Sequence, residues 1–170
     1  MKTHERHMST APKTLNFAIV IVSTSRTREA TKDVTGELLR SEIERSGHKV
    51  SLKKIVGDRR EEILDALKEC LVADADVAIF SGGTGLSKTD LTVETLKPLF
   101  SRTIDGFGEI FRWLSYREIG ASAILSKAIA GVIGETIIYC IPGSPEGALL
   151  ALRSLIIPAS PHAIREVRRE

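Results

Sequence analysis

Phe17-Ala-Ile-Val-Ile-Val22 and Val77-Ala-Ile-Phe80 are two short apolar runs, and the second ends abruptly in Ser81-Gly-Gly-Thr-Gly85. Both are apolar on successive residues, the pattern of a strand buried on both faces of a parallel sheet. What separates them settles their relation. Thr31 or Asp33 stands where a helix cap belongs, ahead of an apolar stripe that includes Leu38, Leu39 and Ile43, and Gly47 ends that helix. Val50 to Val56 alternates as a further strand. Asp58 is then predicted to cap a second helix, with Glu61 three residues on in a capping-box pattern and Ile63, Leu64, Leu67 and Leu71 as its apolar stripe. Strand and helix alternate, so the crossovers are right-handed and the sheet is mostly parallel. The expected fold is a three-layer α/β domain with helices on both faces of the sheet.

The second half is less regular. Thr92 to Phe100 and Gly108 to Ile119 read as helices. Ala128 to Ile133 and Thr136 to Ile141 read as strands joined at Gly134-Glu135, a two-residue hairpin signal that makes one strand antiparallel. Pro142-Gly-Ser-Pro145 stops the last strand. A helix carrying Leu149, Leu152, Leu155 and Ile156 follows, then a short charged helix to Glu170. The polar stretch 1–13 is expected to be a flexible tail, and 14–170 a single domain.

Composition narrows the function. The chain has 170 residues, about one domain, and a net charge of +2, which offers no bulk attraction for nucleic acid or an anionic membrane. Aromatic residues make up 5 %, too few for platforms that stack single-stranded bases. Cys70 and Cys140 lack metal-ligand spacing and lie in apolar stretches, so buried reduced thiols and a cytoplasmic location are expected. Glu135 and Arg153 interrupt the two longest apolar stretches, which are therefore expected to fall short of the ~18 residues of a membrane span. His4 and His7 alone cannot close a metal site.

In open α/β sheets, ligands bind beyond the carboxyl ends of the strands. Four segments belong there: Ser23-Thr-Ser-Arg26, Gly57-Asp58, Ser81 to Asp90, and Pro142 to Pro145. Gly82, Gly83 and Gly85 can turn successive backbone N–H groups toward an anion, with Thr84, Ser87, Thr89 and Lys88 beside them. The alternative is a tight strand-to-helix connection. The loop is not a P-loop, because Ser87 stands where that pattern needs Gly before Lys88, and Lys88 also breaks the dinucleotide fingerprint. Asp58 and Asp90 are carboxylates beside this phosphate-type loop. They suit a phosphate ligand only through a cation, and Mg²⁺ binds through one or two carboxylates plus substrate phosphates. Each also reads as a helix cap. Arg26 is either a planar phosphate clamp or a solvated side chain. Trp113, Tyr116, Phe107 and Phe111 fall at helical spacing and read as core or subunit contact.

Taken together, Ser81-Gly-Gly-Thr-Gly85, Asp90-Leu-Thr92 with Glu94, Asp105-Gly-Phe-Gly-Glu109 and Pro142-Gly-Ser-Pro145 resemble the MoaB/MogA family of molybdenum cofactor biosynthesis proteins. The resemblance runs in order from about Thr14 to Pro158 and includes Ser23-Thr-Ser-Arg26 and Asp33-Val-Thr-Gly36. Over Gly106 to Ser126 it is closer to the MoaB branch. Two departures stand out: Thr24 where many relatives carry Asp, and Val93 where Pro is frequent.

The resemblance implies a molybdopterin-binding domain that uses Mg-ATP to adenylylate molybdopterin and releases pyrophosphate. The alternative is a non-catalytic molybdopterin-binding or carrier protein of the same fold. The family's two acidic positions fall on Asp58 and Asp90, as catalytic residues and Mg²⁺ ligands. Substrate contacts fall on Ser23, Ser25, Arg26, Ser81, Gly82, Gly83, Thr84, Gly85, Lys88, Pro142, Gly143 and Ser144. Trimers or hexamers are implied, with Phe107, Ile110, Phe111 and Leu114 as a candidate subunit surface, as is contact with a downstream molybdenum-insertion protein. A hydrolase built on the near-P-loop, dependent on Lys88, is a weaker reading.

Overall fold

The computed structural model describes residues 12–24 and 33–169. Six strands form one sheet: β1 (Asn16–Val22), β2 (Lys49–Val56), β3 (Val77–Ser81), β4 (Arg102–Thr103), β5 (Ile129–Ile133) and β6 (Thr136–Ile141). Their spatial order is β2-β1-β3-β6-β5-β4. The first four of these run parallel, and β5 is antiparallel to both of its neighbours. This is the mostly parallel sheet with one antiparallel strand that the sequence predicts. The β5–β6 hairpin turns at Gly134-Glu135, where Gly134 takes φ +59°.

The alternation along β1 shows how the two layers are filled. Phe17, Ile19 and Ile21 pack on one face with Leu39 and Ile43 of α1 (Val34–Arg45), Phe111 of α4 (Asp105–Ile119), and Leu152 and Ile156 near the C-terminus. Ala18, Val20 and Val22 pack on the other with Ile63, Leu67 and Cys70 of α2 (Arg60–Val72) and Leu96 of α3 (Thr92–Leu96). Every β1 residue from Phe17 to Ile21 is fully buried, as a central parallel strand requires. Cys70 and Cys140 are free and buried, and burial pushes the Cys70 thiol up to about 12 and Cys140 higher still.

Local signals explain most boundaries. Asp33 caps α1, its Oδ1 accepting from the Gly36 N–H at 2.9 Å; Thr31 lies outside the described residues. The buried stripe of α2 is Ile63, Ala66, Leu67 and Cys70, which leaves Leu71 at its rim, 38 % exposed. Leu38 of α1 is likewise at the rim. The helix expected over Thr92 to Phe100 divides into α3 and a 3₁₀ turn over Lys97–Leu99, since Pro98 has no N–H to continue the ladder. The two-residue strand β4 is too short to leave a pattern. A six-residue 3₁₀ segment, Gly120–Leu125, follows α4.

The two helices expected near the C-terminus are one rod: α5 (Pro145–Ala151), a π turn over Leu152–Ile156, and α6 (Ile157–Val167). The wider turn precedes Pro158, whose ring would otherwise press on the preceding turn. Among the described residues this rod is long and apolar enough to cross a membrane, because one arginine does not offset its aliphatic residues. This corrects the expectation that Arg153 breaks the run. Ala148, Ala151, Leu152, Ile156 and Ile164 of the rod are fully buried in the core.

Candidate functional site

The loops beyond the carboxyl ends of β1, β2, β3 and β6 surround one cleft of about 1080 Å³. Ser23, Thr24, Asp58, Gly82 to Gly85, Asp90 and Pro142 to Ser144 form its strand-end wall. The facing wall comes from α4 and the 3₁₀ segment after it, through Phe111, Ser115, Glu118, Ile119, Ser122 and Leu125.

The glycine loop is held by its carbonyls. Thr92, the first residue of α3, donates its N–H to Gly83 O at 3.1 Å and its hydroxyl to Gly82 O at 2.8 Å. The Lys127 N–H donates to Thr84 O at 3.0 Å. Gly82 and Gly83 take φ +111° and +62°, and a Cβ would stand 2.2 Å from the Val22 carbonyl oxygen and 2.3 Å from Thr92 Oγ1 respectively. No side chain fits at either position. With the carbonyls engaged, the N–H groups of Gly83, Thr84 and Gly85 donate to nothing among the described residues. Three adjacent unengaged donors in a cleft suit phosphate oxygens.

Both predicted carboxylates reach this loop. The Asp58 N–H donates to Thr24 Oγ1 at 3.1 Å, and Asp58 Oδ1 accepts from the Leu91 N–H at 3.0 Å. A Cβ on Gly83 would meet both Asp58 oxygens within 2.9 Å. Asp90 Oδ2 accepts from the Ser87 N–H at 2.9 Å and lies 2.7 Å from where a Gly85 Cβ would be. Burial pushes the Asp58 carboxyl above the usual range. The Leu91 N–H and Lys127 oppose the rise, while Asp90 and Glu94 add to it. Neither aspartate caps a helix, contrary to the capping readings. The residue before α2 is Arg59, without a side-chain cap, and the Glu62 carboxylate accepts from the Gly57 N–H of the preceding loop at 2.6 Å. Leu91 precedes α3, also without a side-chain cap. Asp58 thus keeps one oxygen outside this hydrogen-bond network.

The other predicted residues divide. Ser23, Gly82, Gly83, Thr84, Gly85, Pro142, Gly143 and Ser144 line the cleft. Gly143 is fixed by the Thr35 hydroxyl, which donates to its carbonyl at 3.1 Å, and Ser144 caps α5 through the Gly147 N–H. Ser81 is fully buried and donates to Pro142 O at 2.8 Å, so it joins two loops without lining the cleft. Lys88 is exposed and outside the lining, since the turn at Ser87 to Asp90 carries it outward. Ser25 and Arg26 lie outside the described residues.

The residues of the helical wall were not singled out as site residues. Phe111, Ser115, Glu118 and Ile119 follow i, i+4, i+7, i+8 spacing, one face of a helix, which is the signal that could have found them. Phe107 and Phe111, expected on a subunit surface, are 6 % and 1 % exposed and pack in the core with ring centroids 6.2 Å apart. The exposed apolar residues of this region outside the cleft are Ile110, Trp113, Tyr116 and Ile124, while Ile119 and Leu125 are exposed where they line the open cleft.

Among its described lining residues the cleft has four carboxylates, Asp58, Asp90, Glu118 and Glu146, and no lysine or arginine. No group of three or more His, Cys, Asp or Glu able to hold a metal occurs among the described residues. Asp58 and Asp90 are two carboxylates at one glycine loop, and Mg²⁺ is a cation that binds through one or two carboxylates with water and ligand oxygens completing its shell.

Residues 18–162 match the family described as a probable molybdopterin binding domain. The chain is 40 % identical over 168 residues to molybdenum cofactor biosynthesis protein B of Bacillus subtilis, with 98 % of each chain covered. Its backbone superposes on the tungsten cofactor synthesizing protein MoaB of Pyrococcus furiosus with TM-score 0.88 at 34 % identity, covering 94 % of this chain and all of that one. A MogA structure superposes with TM-score 0.81 at 30 % identity over 89 % of this chain and 99 % of that one.

Proposed function

The chain belongs to this molybdopterin-binding family and serves molybdenum cofactor biosynthesis, and from that premise we propose that it is a molybdopterin adenylyltransferase. One observation carries the reading: Asp58 and Asp90, from different loops, both lie against a glycine loop with three unengaged N–H donors. In the proposed reaction the terminal phosphate oxygen of molybdopterin attacks the α-phosphorus of ATP. The bond to the bridging oxygen breaks, and pyrophosphate leaves with the electron pair. Adenylyl-molybdopterin is the product.

Such a transfer needs positioning and charge neutralisation more than covalent help. The Gly83, Thr84 and Gly85 N–H groups bind phosphate oxygens, and the Ser144–Pro145 entry to α5 flanks them. Asp58 and Asp90 would hold Mg²⁺, which when bound neutralises charge on the ATP phosphates. Without a cation the four cleft carboxylates repel both substrates, so nucleotide binding is expected to require a divalent ion.

The test is to incubate the protein with molybdopterin, Mg²⁺ and ATP and follow adenylyl-molybdopterin and pyrophosphate in equal amounts. No product, with molybdopterin still bound, would overturn the enzyme and leave a binding protein. Lys88→Ala should retain turnover, and its loss there with Asp58→Asn near wild type would instead favour the hydrolase reading. Self-association is proposed through the outward face of α4, where Ile110, Trp113 and Tyr116 are 49 %, 58 % and 59 % exposed. Light scattering should report a trimer or hexamer, and a monomer removes this part.

A further inference from the structure

The two walls of the cleft differ in chemistry, and the helical wall carries a polar pair that the transfer reaction leaves unused. Phe111 and Ser115, at 1 % and 6 % exposure, show which face of α4 is turned inward. Glu118 lies one helical turn beyond Ser115, exposed at the open end of that face, and lines the same cleft. Neither the Ser115 hydroxyl nor the Glu118 carboxylate has a hydrogen-bond or ion-pair partner among the described residues. Ile119, Leu125 and Leu150 line the same cleft and supply apolar surface suited to a flat ring.

We infer that Glu118 is a specificity-determining residue that reads the aminopyrimidinone edge of a bound pterin. The inference deepens the function proposed above and rests on it. A carboxylate presents two adjacent acceptors. The pterin edge presents two adjacent donors, N3–H and the 2-amino group, so both can bond at once, in the paired geometry arginine uses with carboxylates. The adenine edge offers a donor beside an acceptor, N1, and would set that acceptor against a carboxylate oxygen. The wall carrying Glu118 therefore takes the pterin rather than the adenine. The phosphate end of the pterin substrate then points across the cleft to the glycine loop.

The experiment titrates the intact protein by fluorescence with 6-hydroxymethylpterin monophosphate and with its lumazine counterpart, which carries a 2-oxo group in place of the amine. Mg-ATP affinity is measured separately by calorimetry. Wild type should prefer the pterin over the lumazine. Glu118→Gln should weaken the pterin by about 10- to 100-fold, the loss expected for charge-assisted hydrogen bonds. It should also narrow the gap between the two probes, because the Gln amide can donate to the 2-oxo group, and leave Mg-ATP unchanged. Pterin affinity within about 2-fold of wild type in Glu118→Gln overturns the assignment while leaving the proposed function standing. So does a loss confined to Mg-ATP, which would put adenine on this wall. If wild type binds neither pterin nor lumazine, the assignment falls together with the reading beneath it.

Discussion

The strand-end wall and the helical wall of the cleft are made in opposite ways. The first consists of loops whose backbone is pinned from behind while polar groups are left open in front, and it holds two carboxylates close to the same loop. The second is the inward face of a fifteen-residue helix, backed by Phe107 and Phe111 in the main core. One wall gives up stability to gain chemistry, and the other is stabilised by the packing that shapes it. Substitutions in the two walls should therefore fail differently.

The largest expected effect lies in the helical wall. Phe111→Ala removes a fully buried ring and should destabilise the fold by about 3–5 kcal/mol, read from urea unfolding. A cost below about 1 kcal/mol would break the comparison. In the strand-end wall, Asp58→Asn and Asp90→Asn should each lower the adenylyl-transfer rate by about 10²–10³-fold with native circular dichroism retained. Thr92→Val sits where that wall is pinned and leaves the buried Gly82 carbonyl without its hydroxyl donor, for about 1–3 kcal/mol.

The smallest effect has the most diagnostic sign. The folded-state pKa of Asp58 is raised, so folding retains a proton that the unfolded chain releases first. Its contribution favours the fold at pH below the unfolded value and is lost as pH rises through the raised one. The urea midpoint of wild type relative to Asp58→Asn should fall as pH rises from 3.5, while carboxyls held low, such as Glu42, shift both proteins alike. That variant should melt at least as high as wild type at neutral pH. Asn keeps the Oδ1 that accepts from Leu91, so a lower melting point would show the carboxylate to be stabilising after all.

Much of the fold was legible because its signals are local. The β5–β6 strands, their two-residue turn and the Asp33 cap come from neighbouring residues, and each is found within a residue of its expected place. Asp58 and Asp90 were singled out from their place beside strand ends and the glycine loop. The Asp58 cap predicted from local spacing does not form, because distant partners engage the residue: its N–H donates to Thr24 Oγ1, 34 positions away, and its Oδ1 accepts from the Leu91 N–H, 33 positions away. Lys88 drew attention by a motif near-miss that the Ser87–Asp90 turn undoes. The helical wall was hidden for another reason: a buried serine and a phenylalanine look like core until a cleft is known to lie in front of them.

The place of β6 has a consequence for how the chain is made. β6 sits between β3 and β5, yet its pairing partner β3 leaves the ribosome far earlier; Ser81 and Pro142, bonded at that seam, are 61 positions apart. At about 5–20 residues per second, β3, a strand buried along its length, waits several seconds with the N–H and C=O groups of one edge unpaired. During that interval the nascent domain is half a sheet, open to pairing with a neighbouring chain. The glycine loop, which follows β3 directly and is closed by β6 through Gly82 N–H to Ile141 O, cannot take its final shape until the interval ends.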